Sequence, residues 1–130
     1  MIQVTEMDHI VLRVQDVDRS LAFYTDVIGL EPYRVEQWRS GKIRFPSVRL
    51  NPGTIIDLVK NENVGPEDTW NLDHFCFTVK NPDFQEVIDA LSDHHVPIEE
   101  GPKTRSGARG DATSVYIRDP DNYRLELRRY

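Results

Sequence analysis

A single cysteine, Cys76, among 130 residues excludes an intrachain disulfide and argues against a sulfur-rich structural zinc site. Long apolar runs are also missing. Nothing approaches the ~20 consecutive apolar residues of a membrane-spanning helix, so no membrane partner is expected. Basic charge is scarce, with 16 Lys and Arg against 22 Asp and Glu and a net charge of −6. No basic stripe with interleaved aromatics occurs, which removes nucleic acid as an expected partner. Residues 1–6 have neither the basic region nor the apolar core of a signal peptide, and one lone thiol suits a reducing compartment, so a cytoplasmic location is the expectation. What is present, 38% hydrophobic and 29% charged residues, is the composition of a soluble globular protein the size of one ordinary domain.

That domain carries its own sequence twice. Met7–Val14 recurs as Leu72–Val79, putting His9 in register with His74. Ile55–Val59 recurs as Arg124–Arg128, putting Asp57 in register with Glu126. A fixed internal period marks duplicated structural units. One domain over 1–130 is therefore expected to contain a module over about 5–60, a connection over about 61–70 and a second module over about 71–130.

Within each module the patterning repeats. Ile10, Leu12 and Val14 alternate with His9, Val11 and Arg13, as Phe75, Phe77 and Val79 alternate with His74, Cys76 and Thr78, the period of a half-buried strand. A helix follows each strand. The first is capped by Asp16 or Asp18 and stopped by Gly29; the second is capped by Asn81 with Pro82 at its first position. Three further strands are predicted in each half: Glu31–Trp38, Ile43–Leu50 and Thr54–Lys60, then Val96–Pro102, Thr113–Arg118 and Tyr123–Arg129. Each module therefore reads βαβββ, an α+β architecture. Two such sheets are expected to form a partly closed mixed β-barrel around a cavity, with the helices outside. Alternation assigns His9, Arg13, Asp57, His74, Thr78, Arg124, Glu126 and Arg128 to the cavity side.

One strand histidine taken singly is more often a core or surface residue than a ligand. Its recurrence together with a carboxylate changes the balance. Two imidazoles and two carboxylates suit one divalent ion among Mn²⁺, Fe²⁺, Co²⁺, Ni²⁺ and Zn²⁺, and leave positions for water or substrate. His9, His74, Glu126 and Asp57 are the candidate metal ligands, and Glu126 or Asp57 the candidate catalytic carboxylate that moves a proton. Asp57, one methylene shorter, has the alternatives of orienting a ligand or acting as base. Arg13, Arg105, Arg109 and Arg124 are candidate contacts for an anionic small-molecule substrate. Cys76 reads as a small buried side chain, and His94 and His95 as structural or exposed residues near a helix end.

These residues resemble the vicinal oxygen chelate superfamily of glyoxalases, bleomycin-resistance proteins and dioxygenases over nearly the whole chain. The opening segment Asp8–Val14, then Ser20–Tyr24 and Val27–Leu30, is similar to the superfamily's opening signature. Val96–Pro102, Arg105–Gly110 and Tyr116–Asp121 resemble more narrowly the branch called glyoxalase domain-containing protein 5. The resemblance implies paired βαβββ modules, a metal held by His9, His74 and Glu126, and a homodimer whose cavity is built within one chain or across two. It implies a glyoxalase-type lyase or isomerase that chelates adjacent substrate oxygens. The alternative is an Fe²⁺ extradiol-type dioxygenase in which Tyr116 or Tyr123 serves as an outer acid; a fosfomycin-type thiol transferase and a metal-free bleomycin-resistance-like binding protein rank lower. The chain departs from the pattern at Asp57, where glyoxalase I has a metal-binding glutamate, and at Asn122, where the last turn usually has glycine. Asparagine tolerates the left-handed conformation, so that turn is expected to survive.

Overall fold

The computed structural model describes residues 1, 3, 7, 9–61, 72, 74–105 and 110–130. The chain divides into two compact units, Met1–Gly65 and Pro66–Tyr130. Most of the expected connection over 61–70 lies outside the described residues.

Unit 1 runs β1 (His9–Val14), α1 (Val17–Ala22) continuing as a π-helical turn over Phe23–Val27, β2 (Glu31–Tyr33), α2 (Val35–Arg39), β3 (Ser47–Asn51) and β4 (Thr54–Lys60). Its sheet has the order β1-β4-β3-β2, with β1 parallel to β4 and the other pairs antiparallel. Asp16, rather than Asp18, caps α1, its side chain accepting from the Arg19 N–H at 3.0 Å. Leu12, Val14, Ile56 and Leu58 occupy one alternation of the β1/β4 pair and are almost wholly buried. α1 packs on β4 and adds Val17 and Leu21 to this core. Each such burial contributes about 1.5–3 kcal/mol of transfer free energy.

Unit 2 repeats this plan as β5 (Phe75–Thr78), α3 (Phe84–Asp93), β6 (Glu100–Arg105), β7 (Ala112–Arg118) and β8 (Arg124–Arg129), with the order β5-β8-β7-β6 and a parallel β5/β8 pair. Phe77, Val115, Ile117, Leu125 and Leu127 form its apolar face, and α3 buries Val87 and Leu91 at helical spacing. The two units thus share the predicted βαβββ order, with α2 added between β2 and β3 in unit 1, and the same strand sequence across the sheet.

Several expectations are corrected. The sheets are not closed into a barrel: among the described residues, hydrogen bonding ends at β1 and β2 in one sheet and at β5 and β6 in the other. The strand predicted over Glu31–Trp38 stops at Tyr33, because Arg34 adopts a left-handed conformation at φ 60° and turns the chain into α2. The strand predicted from Ile43 begins only at Ser47, after Pro46, which has no N–H to give a ladder. Asp83, not Asn81, caps α3 by accepting from the Gln85 N–H at 2.9 Å, while Asn81 donates its side-chain amide to Glu86. The strand predicted from Val96 begins at Glu100. Val96 N–H instead donates to Leu91 O and His95 N–H to Ser92 O, closing α3 in a Schellman turn with His95 left-handed. His94 and His95 therefore have the structural role expected of them. Asn122 does take the left-handed conformation, at φ 70°, and Asp119 Oδ1 ties the turn by accepting from the Asp121 and Tyr123 N–H groups.

Gly101 has φ +96°, and a Cβ there would lie 2.5 Å from Ser114 O, whereas Gly41 has φ +78° and open space around it. Gly41→Ala is expected to lose about 1–2 kcal/mol from backbone strain alone, and Gly101→Ala clearly more. Urea unfolding of both variants checks this; equal losses would contradict the close approach to β7.

Candidate functional site

The candidate residues come from the two parallel strand pairs, and the register is the same in both. Val11 pairs with Asp57 and Cys76 with Glu126. In each unit the histidine stands two residues before the residue that faces the carboxylate, so alternation returns it to the carboxylate's face.

In unit 2 this brings His74 and Glu126 together. The His74 Nε2 atom is 3.4 Å from Glu126 Oε2. The carboxylate is buried, and its other oxygen, Oε1, accepts from Ser114 Oγ at 2.5 Å and from Arg128 Nη1 at 3.4 Å. Arg128 is anchored in turn by donating to Arg105 O at 2.6 Å and Gly110 O at 3.3 Å. Tyr116 lies edge-on to the His74 ring at 5.7 Å, with the Arg124 guanidinium 4.1 Å over its own ring. Cys76, expected to be buried, is instead exposed. Burial of its inner part, then the charge of Glu126, still push the thiol up to about 11, so it is protonated at neutral pH.

In unit 1, His9 begins β1 and Arg13 follows on the same face; both are exposed. Asp57 is buried on that face of β4. Its Oδ1 accepts from Ser47 Oγ at 2.6 Å and from Arg34 Nη2 at 3.3 Å. Arg34 Nη2 also donates to Ser47 Oγ at 2.8 Å, and its guanidinium lies over the Tyr33 and Phe45 rings. Sequence reasoning missed Ser47, Ser114 and Arg34. The serines sit on strands flanking the carboxylates, a placement that only the sheet register discloses; Arg34 depends on a left-handed residue that no local pattern announced.

Two of the proposed substrate arginines, Arg105 and Arg124, are engaged by carboxylates. Arg124 donates to Glu99 at 2.9 Å and to Glu100 at 2.6 Å, and Arg105 reaches Glu100 at 2.6 Å. Arg118 joins Glu99 through a forked pair of hydrogen bonds, and Lys103 reaches Glu100 at 2.6 Å. Arg109 lies outside the described residues.

Among the described residues, neither unit taken alone gathers three or more His, Cys, Asp or Glu side chains with metal-site spacing. The pair in unit 2 nonetheless has the right donor chemistry. An imidazole nitrogen lies beside a carboxylate oxygen whose partner oxygen is already hydrogen bonded, as in carboxylates that bind divalent ions.

Residues 6–127 match the family described as the Glyoxalase/Bleomycin resistance protein/Dioxygenase superfamily. The chain belongs to that superfamily. It is 30% identical to Virulence protein STM3117 of Salmonella typhimurium over 98% of this chain and 85% of that protein. It is 32% identical to the Lactoylglutathione lyase of the same organism over 92% and 88%. Superposed on the crystal structure of Virulence protein STM3117, it gives a TM-score of 0.79 with 25% identity over 99% of each chain. The superfamily fold accounts for the two four-stranded mixed sheets. Among the described residues no helix is long and apolar enough to cross a membrane.

The charge network has a measurable consequence. Hydrogen bonds from Lys103 and Arg124, then from Arg105, hold the Glu100 carboxyl down at about 2, below its ordinary 4.5. A depressed carboxylate adds stability that is complete above its unfolded value and lost as pH falls through the folded one. The Tm gap between wild type and Glu100→Gln is therefore expected to be widest above pH 4.5 and to shrink toward pH 2. A gap that stays constant across a pH series of thermal melts would contradict the network.

Proposed function

We propose that this chain is a divalent-metal-dependent enzyme acting on a small molecule with adjacent oxygens, most nearly a lyase or isomerase of the glyoxalase type. The observation that carries the reading is the His74–Glu126 pair, with one carboxylate oxygen held by Ser114 and Arg128 and the other turned to the imidazole. Likeness to Lactoylglutathione lyase supports the reaction class. His74 and Glu126 are assigned as ligands, and their counterparts in the repeat, His9 and Asp57, are the further candidate ligands. Held there, Mn²⁺, Fe²⁺, Co²⁺, Ni²⁺ or Zn²⁺ would supply Lewis-acid stabilisation of negative charge on substrate oxygens.

The chain's own groups do the rest. Glu126 or Asp57, buried carboxylates with one oxygen each already hydrogen bonded, would move the proton on the carbon beside the substrate carbonyl with its second oxygen when that oxygen is not engaged by the ion. The ring of Tyr116 packs edge-on against His74 and limits the orientations open to the imidazole. Arg13, Arg105, Arg109 and Arg124 are the proposed sources of positive charge toward an anionic substrate, Arg105 and Arg124 as members of a cluster in which four basic groups meet two carboxylates. The narrower likeness to the glyoxalase domain-containing protein 5 branch, assembly as a homodimer and a cytoplasmic location belong to this proposal as well.

Elemental analysis of protein loaded with each of the five ions tests the reading, alongside turnover of a hemithioacetal and of an epimerisable acid. Near-stoichiometric metal is expected in wild type. His74→Ala and Glu126→Ala are expected to lose metal affinity by at least the ~100-fold that loss of a supporting partner reaches. Absence of bound metal under every loading condition would replace the reading with metal-free ligand binding. Ring cleavage of a catechol by the ferrous protein, with no lyase or isomerase turnover, would replace it with a dioxygenase.

A further inference from the structure

The two buried carboxylates are held in the same way by parts that the duplication does not supply. Asp57 receives both its hydrogen bonds on Oδ1, one from a serine hydroxyl and one from a guanidinium. Glu126 receives the same two kinds of donor on Oε1, while Oε2 faces His74. The donors stand at different places in the repeat. Ser47 lies directly across the ladder from Asp57, but Ser114 lies across from Arg128 and reaches Glu126 on the diagonal. Arg34 precedes α2, whereas Arg128 is on β8 itself, two residues after the carboxylate. One carboxylate has the shorter arm and the other the longer, and each unit meets the difference with its own placement of serine and arginine.

We propose that Ser47 with Arg34, and Ser114 with Arg128, are positioning residues that clamp one oxygen of each carboxylate and reserve the second oxygen for a divalent ion. This rests on the metal-dependent reading above. A clamp built only to compensate a buried charge gains most by engaging both oxygens; here both donors converge on one. Its parts are themselves fixed. Arg34 lies against the Tyr33 and Phe45 rings, Arg128 is tied to two backbone carbonyls, and Ser114 sits where a Cβ at Gly101 would meet its carbonyl. Holding one oxygen directs the carboxylate to bind through the other. Pairing each carboxylate with a guanidinium also neutralises it, so that the ion keeps its positive charge for the oxygens of a substrate.

Co²⁺ affinity of the whole chain, measured by competition with a chelator, tests the proposal in wild type, Ser47→Ala, Ser114→Ala and the corresponding Ser→Thr variants. Apo-protein melting and the visible Co²⁺ spectrum are recorded for each. The expected result is that each alanine variant folds, binds Co²⁺ about 10–100-fold more weakly and has an altered spectrum, and that threonine, which keeps the hydroxyl, returns most of the affinity. Wild-type Co²⁺ binding with unchanged affinity in both alanine variants would overturn the clamp and leave the metal reading standing. Loss in Ser114→Ala alone would overturn the clamp in unit 1. No Co²⁺ on the wild-type protein would overturn the metal reading and the clamp with it.

Discussion

Parallel pairing of β5 with β8 sets Cys76 across from Glu126 and thereby returns His74, two residues earlier, to the side of the carboxylate. The β1/β4 pair imposes the same register on Val11, Asp57 and His9. Because side chains alternate along a strand, a slip of one residue in either pair would send the carboxylate into the apolar layer and Leu58 or Leu125 into solvent. The hydrophobic core therefore enforces the register, and the register places the candidate site. Leu12, Ile56 and Leu58 in unit 1, and Leu125 and Leu127 in unit 2, position the functional residues without touching any reacting group.

The polar face poses the opposite problem. An isolated carboxylate removed from water is unstable as an anion, so Asp57 and Glu126 need charged or strongly donating neighbours. Serine and arginine meet that need in each unit, and they do so at one oxygen. Farther along the second sheet the charges are arranged differently. Glu99 and Glu100 bind Arg105, Arg118, Arg124 and Lys103 in a solvent-facing network, where individual pairs are weak and geometry matters more than count. That network restrains β6 against β7 and β8, and it holds the Arg124 guanidinium over Tyr116, whose ring stands nearly perpendicular to that of His74.

Much of this was legible in the sequence because it follows from period. The duplication, the βαβββ order and, within each unit, the register that puts histidine and carboxylate on one face follow from alternation and repeat register, and the superfamily was readable from the same motifs. What escaped had causes that local pattern does not carry. Arg34 is an arginine in a left-handed conformation, a choice made by the tertiary setting. The late starts of β3 and β6 come from a proline and from a helix cap that consumes Val96. Closure into a barrel was inferred from the need to cover a sheet face, but the ladders end at their fourth strands. The serine partners depend on which strands lie side by side, so they emerge only when the sheet is assembled. His9 and Asp57 were chosen by their place in the repeat, whereas the His74–Glu126 contact is an independent geometric fact.

The central claim is that His74 and Glu126 bind a divalent ion together. An anomalous difference map from crystals of the full chain grown with Co²⁺ or Zn²⁺ tests it most directly. The account predicts one strong peak about 2.0–2.2 Å from both His74 Nε2 and Glu126 Oε2, with Ser114 still bonded to Oε1. A map with no peak at that pair, or with the ion bound elsewhere while His74 and Glu126 keep their present contact, would contradict it.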